Sequence, residues 1–205
     1  MSTTSRGTLR QQQKAATRQL LLDEATRCAA EHGYGAMTVE QVVAGAGVSR
    51  ATFYLHFSGK SELARAVIDD LRQRSAGLLP PQALHELGRD ELVVTARRMI
   101  GYYREEIDAF KLWHEASAME PGLEEAIDAT RSLFVGGLLG DTTWPSAAVA
   151  RRANLVLALM FFQLERICFG WFVSGWPMQE AEVVDEVVRS WEGHYLPRLR
   201  ELHGG

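Results

Sequence analysis

Residues 38–57 constrain the fold of this chain most, because they predict two short helices joined by a tight glycine turn. Thr38 stands three residues before Gln41, a spacing typical of a capping box at the start of a helix. Gly45 and Gly47 predict the end of that helix, because glycine alone adopts a positive φ without steric cost.

The second helix of the pair is predicted over residues 50–56, with Ser49 as its N-cap. Phe53 and Phe57 fall on the inner side, which leaves a small, polar and partly basic outer side. A helix pair of this length with such an outer side fits the major groove of DNA. The sequence therefore predicts a helix-turn-helix, and the alternative is an ordinary helix hairpin with a glycine turn.

The flanking residues extend this pattern. Upstream, an amphipathic helix is predicted over residues 18–32, and Gly33-Tyr34-Gly35 ends it. Downstream, residues 58–77 predict a further amphipathic helix. In order and spacing, residues 15–70 resemble the TetR family of regulators. The shared features are a helix ending in Gly-Tyr, a Thr, a short helix, Ala-Gly-Val-Ser, an aromatic-rich recognition helix and a Phe-x-x-Lys junction.

One position departs from the family pattern, since Ala29 stands where the family usually buries a Phe, and we expect a locally smaller core there. Strand signals are nearly absent from the chain, which predicts an all-α fold. The resemblance implies an N-terminal three-helix, helix-turn-helix DNA-binding domain over residues 1–60. It also implies a six-helix effector-binding and dimerisation domain over residues 61–205.

Candidate DNA contacts follow from position along the two helices. Arg50 and Ala51 open the recognition helix and are predicted to reach base edges, since arginine suits guanine and a methyl group suits thymine. Thr52 is predicted to contact a base or the backbone, and Leu55 is either at the edge of the core or a contact for a thymine methyl group. The resemblance implies phosphate contacts by Tyr54, His56, Lys60 and Thr38. The full candidate set is Thr38, Ser49, Arg50, Ala51, Thr52, Tyr54, His56 and Lys60.

The distribution of charge supports a DNA-binding N-terminal part. The net charge of the chain is -4, but residues 1–74 hold 10 Lys and Arg against 7 Asp and Glu. The remainder holds 12 basic against 19 acidic residues. A basic part attached to an acidic body places the attraction for phosphate at one end of the chain.

The N-terminal residues are polar and carry no secretory signal, so residues 1–14 are predicted to be a flexible arm. Contact of Arg6, Arg10 and Lys14 with DNA is the alternative to a disordered tail. The most hydrophobic segment, residues 153–176, is interrupted by Glu165 and Arg166, and its uninterrupted part is shorter than the roughly 20 apolar residues that a membrane span requires. We expect a buried helix and a cytoplasmic protein.

The second half of the chain predicts helices over residues 90–106, 107–119, 123–139, 146–173 and 179–202. Residues 155–172 are apolar on nearly every side, which predicts burial on both sides of that helix. A symmetric homodimer would cover the outer side, and a monomer covered by its own short helices is the alternative. The resemblance implies the dimer, formed by the last two helices. Two recognition helices would then read a pseudo-palindromic operator, with half-sites about 34 Å apart or a multiple of it.

Aromatic and sulfur-bearing side chains are concentrated in the middle helices, among a few polar groups. Such a composition fits a small-molecule pocket, and the alternative is that these side chains fill a core. The resemblance implies an effector pocket, with release from DNA by displacement of the fourth helix. We expect a largely apolar or aromatic effector, with Tyr103, His114 and Glu165 as polar anchors. The candidate pocket residues are Met99, Tyr103, Phe110, Trp113, His114, Phe134, Phe162, Glu165 and Phe169.

Enzyme motifs are missing from the sequence, which has no Gly-rich phosphate loop, no Gly-x-Ser-x-Gly elbow and no His-Glu-x-x-His helix. We therefore expect no enzyme, no cofactor and no metal. The sequence predicts a regulator, by default a repressor that a small apolar effector releases from its operator. The alternatives are a regulator without a small-molecule effector that a protein partner controls, and an activator.

Overall fold

Every regular element in the described part of the chain is helical, which confirms the all-α prediction. The computed structural model describes residues 3–78, 84–120, 122–123 and 143–204. The helices are α1 Thr3–His32, α2 Val39–Gly45, α3 Arg50–Tyr54, α4 Lys60–Ser75, α5 Arg89–Glu105, α6 Ile107–Met119, α7 Ala147–Phe172, α8 Glu180–Ser190 and α9 Leu196–Gly204. The helix predicted over residues 123–139 lies almost wholly outside the described residues.

The chain divides into two compact units. The first comprises Met1–Leu71 and Asp108–Ala126, and the second comprises Arg72–Ile107 and Ile127–Gly205. The first unit therefore extends beyond the predicted boundary at residue 60 and takes in nearly all of α6. The division into residues 1–60 and 61–205 stays a prediction.

The described part of the N-terminal arm, from Thr3 on, is helical, where the sequence analysis predicted a flexible segment over residues 1–14. Helix α1 runs from Thr3 to His32 and so begins far upstream of residue 18. Residues 8–22 connect the predicted arm to the predicted amphipathic helix. This segment is free of Gly and Pro and rich in Gln, Ala, Arg and Leu. These residues have high helix propensity, so the backbone continues the helix upstream of its amphipathic part.

The two glycines between α2 and α3 have different roles. Gly47 has φ +66°, a conformation that side chains with a Cβ rarely adopt, and it forms the turn as predicted. Gly45 has no positive φ. A Cβ on it would overlap the Glu24 side chain of α1, so a glycine there lets α2 approach α1 closely.

The core of the first unit supports α3 from behind. Phe53 and Phe57 are buried, and their ring centroids lie 5.8 Å apart. Ala29 is also buried, at the position where the family usually has a larger side chain. The apolar face of α4 adds further buried side chains, namely Leu63, Ala64, Val67, Ile68 and Leu71.

In the second unit, α5 packs against α7 and α8, and α9 packs against α7. Arg89 at the start of α5 forms ion pairs with Asp185, at 2.6 Å, and with Glu192. Near the other end of α5, Arg104 pairs with Glu180 at 2.5 Å. These exposed pairs are each worth about 1 kcal/mol or less, so they fix orientation more than they add stability.

The last helix predicted over residues 179–202 is interrupted. Helix α8 ends at Ser190, a π-helical turn spans Trp191–Tyr195, and α9 follows from Leu196. Leu196 donates its amide hydrogen bond to the Trp191 carbonyl, five residues back. Pro197 has no N–H and its ring clashes with the carbonyl four residues earlier, so the wider turn accommodates the proline without ending the helical path.

Helix α7 is buried along one side only. Ala153, Leu157, Met160, Leu164 and Cys168 are buried within the second unit. On another side Leu155, Leu159 and Phe162 are 62%, 51% and 44% exposed. By length and composition alone this helix could cross a membrane, and 28% of its most apolar stretch is buried. This exposure is consistent with the prediction that a second copy of the chain covers the outer side of α7.

Candidate nucleic-acid interface

Helix α2 begins with the predicted capping box. The Thr38 amide donates to Gln41 Oε1 at 2.8 Å, and the Gln41 amide donates to Thr38 Oγ1 at 3.2 Å. These reciprocal bonds satisfy two of the amides that a helix start leaves without intrahelical partners. Thr38 itself is exposed, and its position fixes where α2 starts.

Helix α3 begins at Arg50 with Ser49 as its N-cap, as predicted, but it ends two residues before the predicted end at residue 56. Ser49 Oγ accepts the Thr52 amide at 3.0 Å and lies 2.9 Å from the Thr52 hydroxyl. The helix ends at Tyr54, and Leu55 is its C-cap. The cap orients the first turn, which carries the candidate base contacts.

The outward side of α3 carries Arg50, Ala51, Tyr54 and Leu55, which are all exposed. Leu55 is 78% exposed, which excludes a place in the core and leaves the thymine-methyl contact as its predicted role. Tyr54 packs its ring edge-on against the ring of Phe53, with the centroids 5.3 Å apart, and half of the residue remains exposed. Thr52 is half-buried.

Arg50 is oriented by two neighbours. Its guanidinium forms a 2.5 Å ion pair with Glu40 of α2, and both side chains are more than half exposed. A hydrogen bond with the Tyr54 side chain and the charge of Glu40 together raise the pKa of Arg50. An exposed ion pair contributes about 1 kcal/mol or less, so Arg50 can exchange Glu40 for a nucleic-acid partner at small cost.

His56 follows α3 and lies near positive charge from α1. Burial lowers its pKa first, and repulsion from Lys14 and Arg18 lowers it further. The Arg18 guanidinium lies over the Phe57 ring, 5.6 Å from its centroid. The side of α1 that carries Lys14 and Arg18 therefore adjoins the residues that follow α3.

Lys60, predicted to contact phosphate, is held by the loop that follows α1. Its Nζ donates to the Tyr34 carbonyl at 2.9 Å and to the Gly35 carbonyl at 3.3 Å. The same ammonium lies 4.3 Å from the centroid of the Tyr34 ring. Two of the three ammonium donors thus stabilise this loop, a role that the sequence analysis missed. The phosphate contact stays a prediction.

Tyr34 is the anchor of that loop, and two of its partners are Glu115 of α6 and Glu120, which directly follows α6. The Tyr34 ring is fully buried, and its hydroxyl donates to Glu120 Oε1 at 2.8 Å. Its amide donates to Glu115 Oε2 at 2.5 Å. Burial, followed by the Glu120 hydrogen bond, raises the pKa of Tyr34 far above its ordinary value. We call this cluster, Tyr34 with Lys60, Glu115 and Glu120, the Tyr34 anchor.

No signal in the sequence pointed to Glu115 and Glu120, because they lie more than 80 residues from Tyr34. Two glycines make room for side chains from the end of α6, namely Glu115 and Met119. Gly33 has φ +79°, and a Cβ there would lie 3.3 Å from Glu115 Oε2. A Cβ on Gly35 would lie 3.2 Å from Met119 Cε. The Gly-Tyr-Gly sequence that ends α1 is therefore also the surface on which the end of α6 rests.

The candidate effector residues fall into both units. Met99, Tyr103, Phe162, Glu165 and Phe169 belong to the second unit, and Phe110, Trp113 and His114 belong to the first. Phe134 lies outside the described residues.

Tyr103 and Glu165 come together in the second unit. Tyr103 is buried, and burial together with Glu165 raises its pKa. Its ring also stacks with Phe172 at 6.4 Å. His114, the third predicted anchor, stacks instead on Trp113 at 6.4 Å in the first unit. Phe162 is exposed.

Residues 21–67 match the sequence profile of a family described as bacterial regulatory proteins, tetR family. The HTH-type transcriptional repressor AcnR of Corynebacterium diphtheriae is 39% identical over 75 residues, which are 37% of this chain and 40% of that protein. The HTH-type transcriptional repressor Rv1474c of Mycobacterium tuberculosis is 31% identical over 112 residues. That match covers 51% of this chain and 60% of the repressor. The chain thus spans 40% and 60% of the lengths of these two relatives.

The same fold occurs in a transcriptional regulator from Aquifex aeolicus VF5. Its crystal structure superimposes with a TM-score of 0.62, covers 86% of this chain and 98% of that chain, and is 17% identical in sequence. At this identity the likeness concerns the fold. The geometry of α2 and α3 defines a helix-turn-helix protein. Residues 21–67 thus carry the profile of the TetR family of regulators, and the fold of the described helices agrees with it.

The Tyr34 anchor yields a stability prediction. Replacement of Tyr34 by Phe keeps the ring but removes the hydrogen bond to Glu120, so we expect the free energy of unfolding to fall by about 1 to 3 kcal/mol. Urea denaturation followed by circular dichroism measures this change. Tyr54→Phe, on an exposed ring of the same unit, is the matched control and should stay within about 0.5 kcal/mol of the unaltered protein. Equal stabilities of the two variants would contradict the anchor.

Proposed function

We propose that this chain is a sequence-specific DNA-binding transcriptional regulator that acts as a repressor. The observation that supports this most is the two-sided construction of α3. Phe53 and Phe57 hold its rear in the core, while Arg50, Ala51 and Tyr54 form an exposed outer side. A short helix presented in this way fits the major groove. The curated relatives that share this segment are named as HTH-type transcriptional repressors.

The outer side of α3 separates into two kinds of contact. Arg50 and Ala51 lie in its first turn, where they would reach base edges, and arginine pairs well with guanine. Tyr54, His56, Lys60 and Thr38 would contact phosphates, which set the register of the protein on the duplex. Glu40 holds Arg50 at the surface until DNA replaces it.

We also propose a homodimer formed by the last two helical segments. Leu155, Leu159 and Phe162 form an exposed apolar stripe along α7, with the spacing of one helix face. Between α7 and α8 lies an open groove of about 400 Å³, lined among others by Gln163, Ile167 and Val187. Burial of the stripe against a second copy removes the largest exposed apolar side chains of this helix from water. The two copies would read a pseudo-palindromic operator.

A small apolar effector would control the repressor. Support comes from the pairing of buried Tyr103 with Glu165 amid the aromatic side chains of the second unit. Release would follow displacement of the fourth helix, α4, which runs from the first unit into the second. The effector need only favour the non-binding conformation by a few kcal/mol. A regulator of this kind works in the cytoplasm and has no catalytic role.

Selection of bound duplexes from random DNA tests the function directly. We expect recovery of a pseudo-palindrome whose two halves are separated by one or more helical turns. Failure to enrich any sequence, together with failure to bind duplexes at low salt, would contradict the proposal.

The division between base and phosphate contacts yields the second prediction. Arg50→Ala should relax specificity at one base pair of each half-site, with about 1 to 3 kcal/mol less discrimination there. Tyr54→Phe should weaken binding to all duplexes alike, by about 0.5 to 1.5 kcal/mol, because a phosphate bond carries no sequence information. Fluorescence anisotropy against a panel of single-base operator variants measures both. Parallel losses on every duplex for both variants would refute the division.

The dimer yields the third prediction. Leu159→Glu places a charge in the middle of the apolar stripe, so we expect the protein to become monomeric and its operator affinity to fall. Light scattering coupled to size-exclusion chromatography gives the mass in solution. Val94→Glu, at an equally exposed apolar position on α5, is the matched control and should leave the dimer intact. A dimer that persists in Leu159→Glu would place the interface elsewhere.

The effector proposal yields the fourth prediction. At least one compound from a panel of lipophilic molecules should raise the melting temperature, because a ligand at 100 times its Kd stabilises the native state by about 2.7 kcal/mol. The same compound should lower affinity for the recovered operator. Differential scanning fluorimetry identifies such compounds, and Tyr103→Phe should reduce the shift. A panel without any shift would favour control by a protein partner.

A further inference from the structure

The first half of α1 carries an exposed row of positive charge. Arg10, Lys14 and Arg18 follow one another four residues apart, and all three are exposed. Arg6 continues the same spacing in the sequence, and the first acidic residue of the chain is Asp23. Side chains four apart lie on nearly the same side of a helix, so these residues form a continuous basic ridge.

The position of this ridge relative to α3 is set by its inner end. Arg18 lies over the ring of Phe57, three residues after the last helical residue of α3. The positive charges of Lys14 and Arg18 both contribute to the lowered pKa of His56. The ridge therefore starts beside the candidate phosphate contacts and is continuous with them. At about 1.5 Å per residue, Arg10 lies roughly 12 Å farther along α1 than Arg18.

A solvated helix face is the rival explanation, and the charges argue against it. Like charges four residues apart destabilise a helix by about 0.2 to 0.5 kcal/mol per pair. With no acidic residue before Asp23, α1 itself offers these side chains no partner four residues away. Attraction of these side chains to a polyanion beside the ridge would offset the repulsion between them. Duplex DNA carries one phosphate per about 3.4 Å of helix axis on each strand, and successive phosphates lie farther apart than this along the backbone, so a ridge of about 12 Å can reach about two or three successive phosphates.

We propose that Arg10, Lys14 and Arg18 form a second DNA-binding surface, which contacts backbone phosphates adjoining the base pairs read by α3. This inference rests on the proposed DNA-binding function. The ridge adds affinity without sequence information, because phosphate contacts position a protein and base contacts specify its site. It would lengthen the footprint of each half-site by about two or three phosphates.

The test compares the full-length protein with the double variant Arg10→Gln and Lys14→Gln, since glutamine preserves helix propensity and removes the charge. The probe is the duplex recovered by selection, extended by scrambled sequence on both sides. Phosphate-ethylation interference maps the contacted phosphates, and the salt dependence of affinity counts them. Arg97→Gln with Arg98→Gln, two exposed positions on α5, is the matched control for the loss of charge.

We expect the double variant to lose interference at phosphates next to each half-site while it keeps the pattern within the half-site. Loss of four charges per dimer should reduce the slope of log affinity against log salt by about 3 to 4, and Lys14→Gln alone by about half of that. The α5 control should retain the slope of the unaltered protein. Helix content from circular dichroism should be equal in all variants.

Two results would overturn the inference while the proposed function stands. One is an unchanged interference pattern and slope in the double variant. The other is a uniform loss across the whole footprint, which would mean that the ridge has no phosphates of its own. If the unaltered protein bound no duplex at all, the proposed function would fail together with the inference, and that outcome is distinguishable from both.

Discussion

The candidate DNA-binding surface depends on one buried tyrosine. Tyr34 is fully buried, and its amide, carbonyl, ring and hydroxyl each contact a charged side chain from α4, from α6 or from Glu120, which directly follows α6. Buried polar groups that lose a partner cost about 1 to 3 kcal/mol each, so this loop has one favourable arrangement. Thr38, the N-cap of α2, lies only four residues after Tyr34, and a short turn connects α2 to α3. The position of α3 is thus determined by the contacts of Tyr34, in which α3 itself takes no part.

Helix α3 is too short to be stable on its own. Five residues barely complete one turn, and isolated helices shorter than about 12 to 15 residues are marginal in water. Its conformation is therefore maintained by the Ser49 cap at its start and by Phe53 behind it. Rigidity of the outer side follows from this arrangement, because a cap and a buried ring leave the backbone few alternatives. The exposed Arg50 and Glu40 pair adds orientation at little energetic cost.

Features with a local cause could be predicted from the sequence, and features with a distant cause could not. The capping box, the Ser49 cap, the Gly47 turn and the inward phenylalanines each depend on residues within four positions of one another. Glu115 and Glu120 meet Tyr34 only because the chain returns to the first unit after leaving it, and no periodicity encodes that return. Gly45 was interpreted as a turn residue, but a glycine is needed there because the Glu24 side chain of α1 occupies the space of a Cβ. The π-helical turn at Trp191–Tyr195 had a local cause in Pro197, and the sequence analysis overlooked it.

The path of the chain between the two units bears on how binding elsewhere would affect α3. Helix α4 crosses from the first unit to the second at Leu71 and Arg72, and the chain returns at Ile107 and Asp108, next to the start of α6. The end of α6 then contacts Tyr34 through Glu115 and Glu120, and α4 contacts it through Lys60. Both connections therefore end on the same loop. The contacts there are worth about 1 to 3 kcal/mol each, which equals the usual range of allosteric coupling free energies. Loss of one of these contacts would therefore cost about as much free energy as a typical allosteric coupling, and the cost would fall on the loop before α2 rather than on α3 itself.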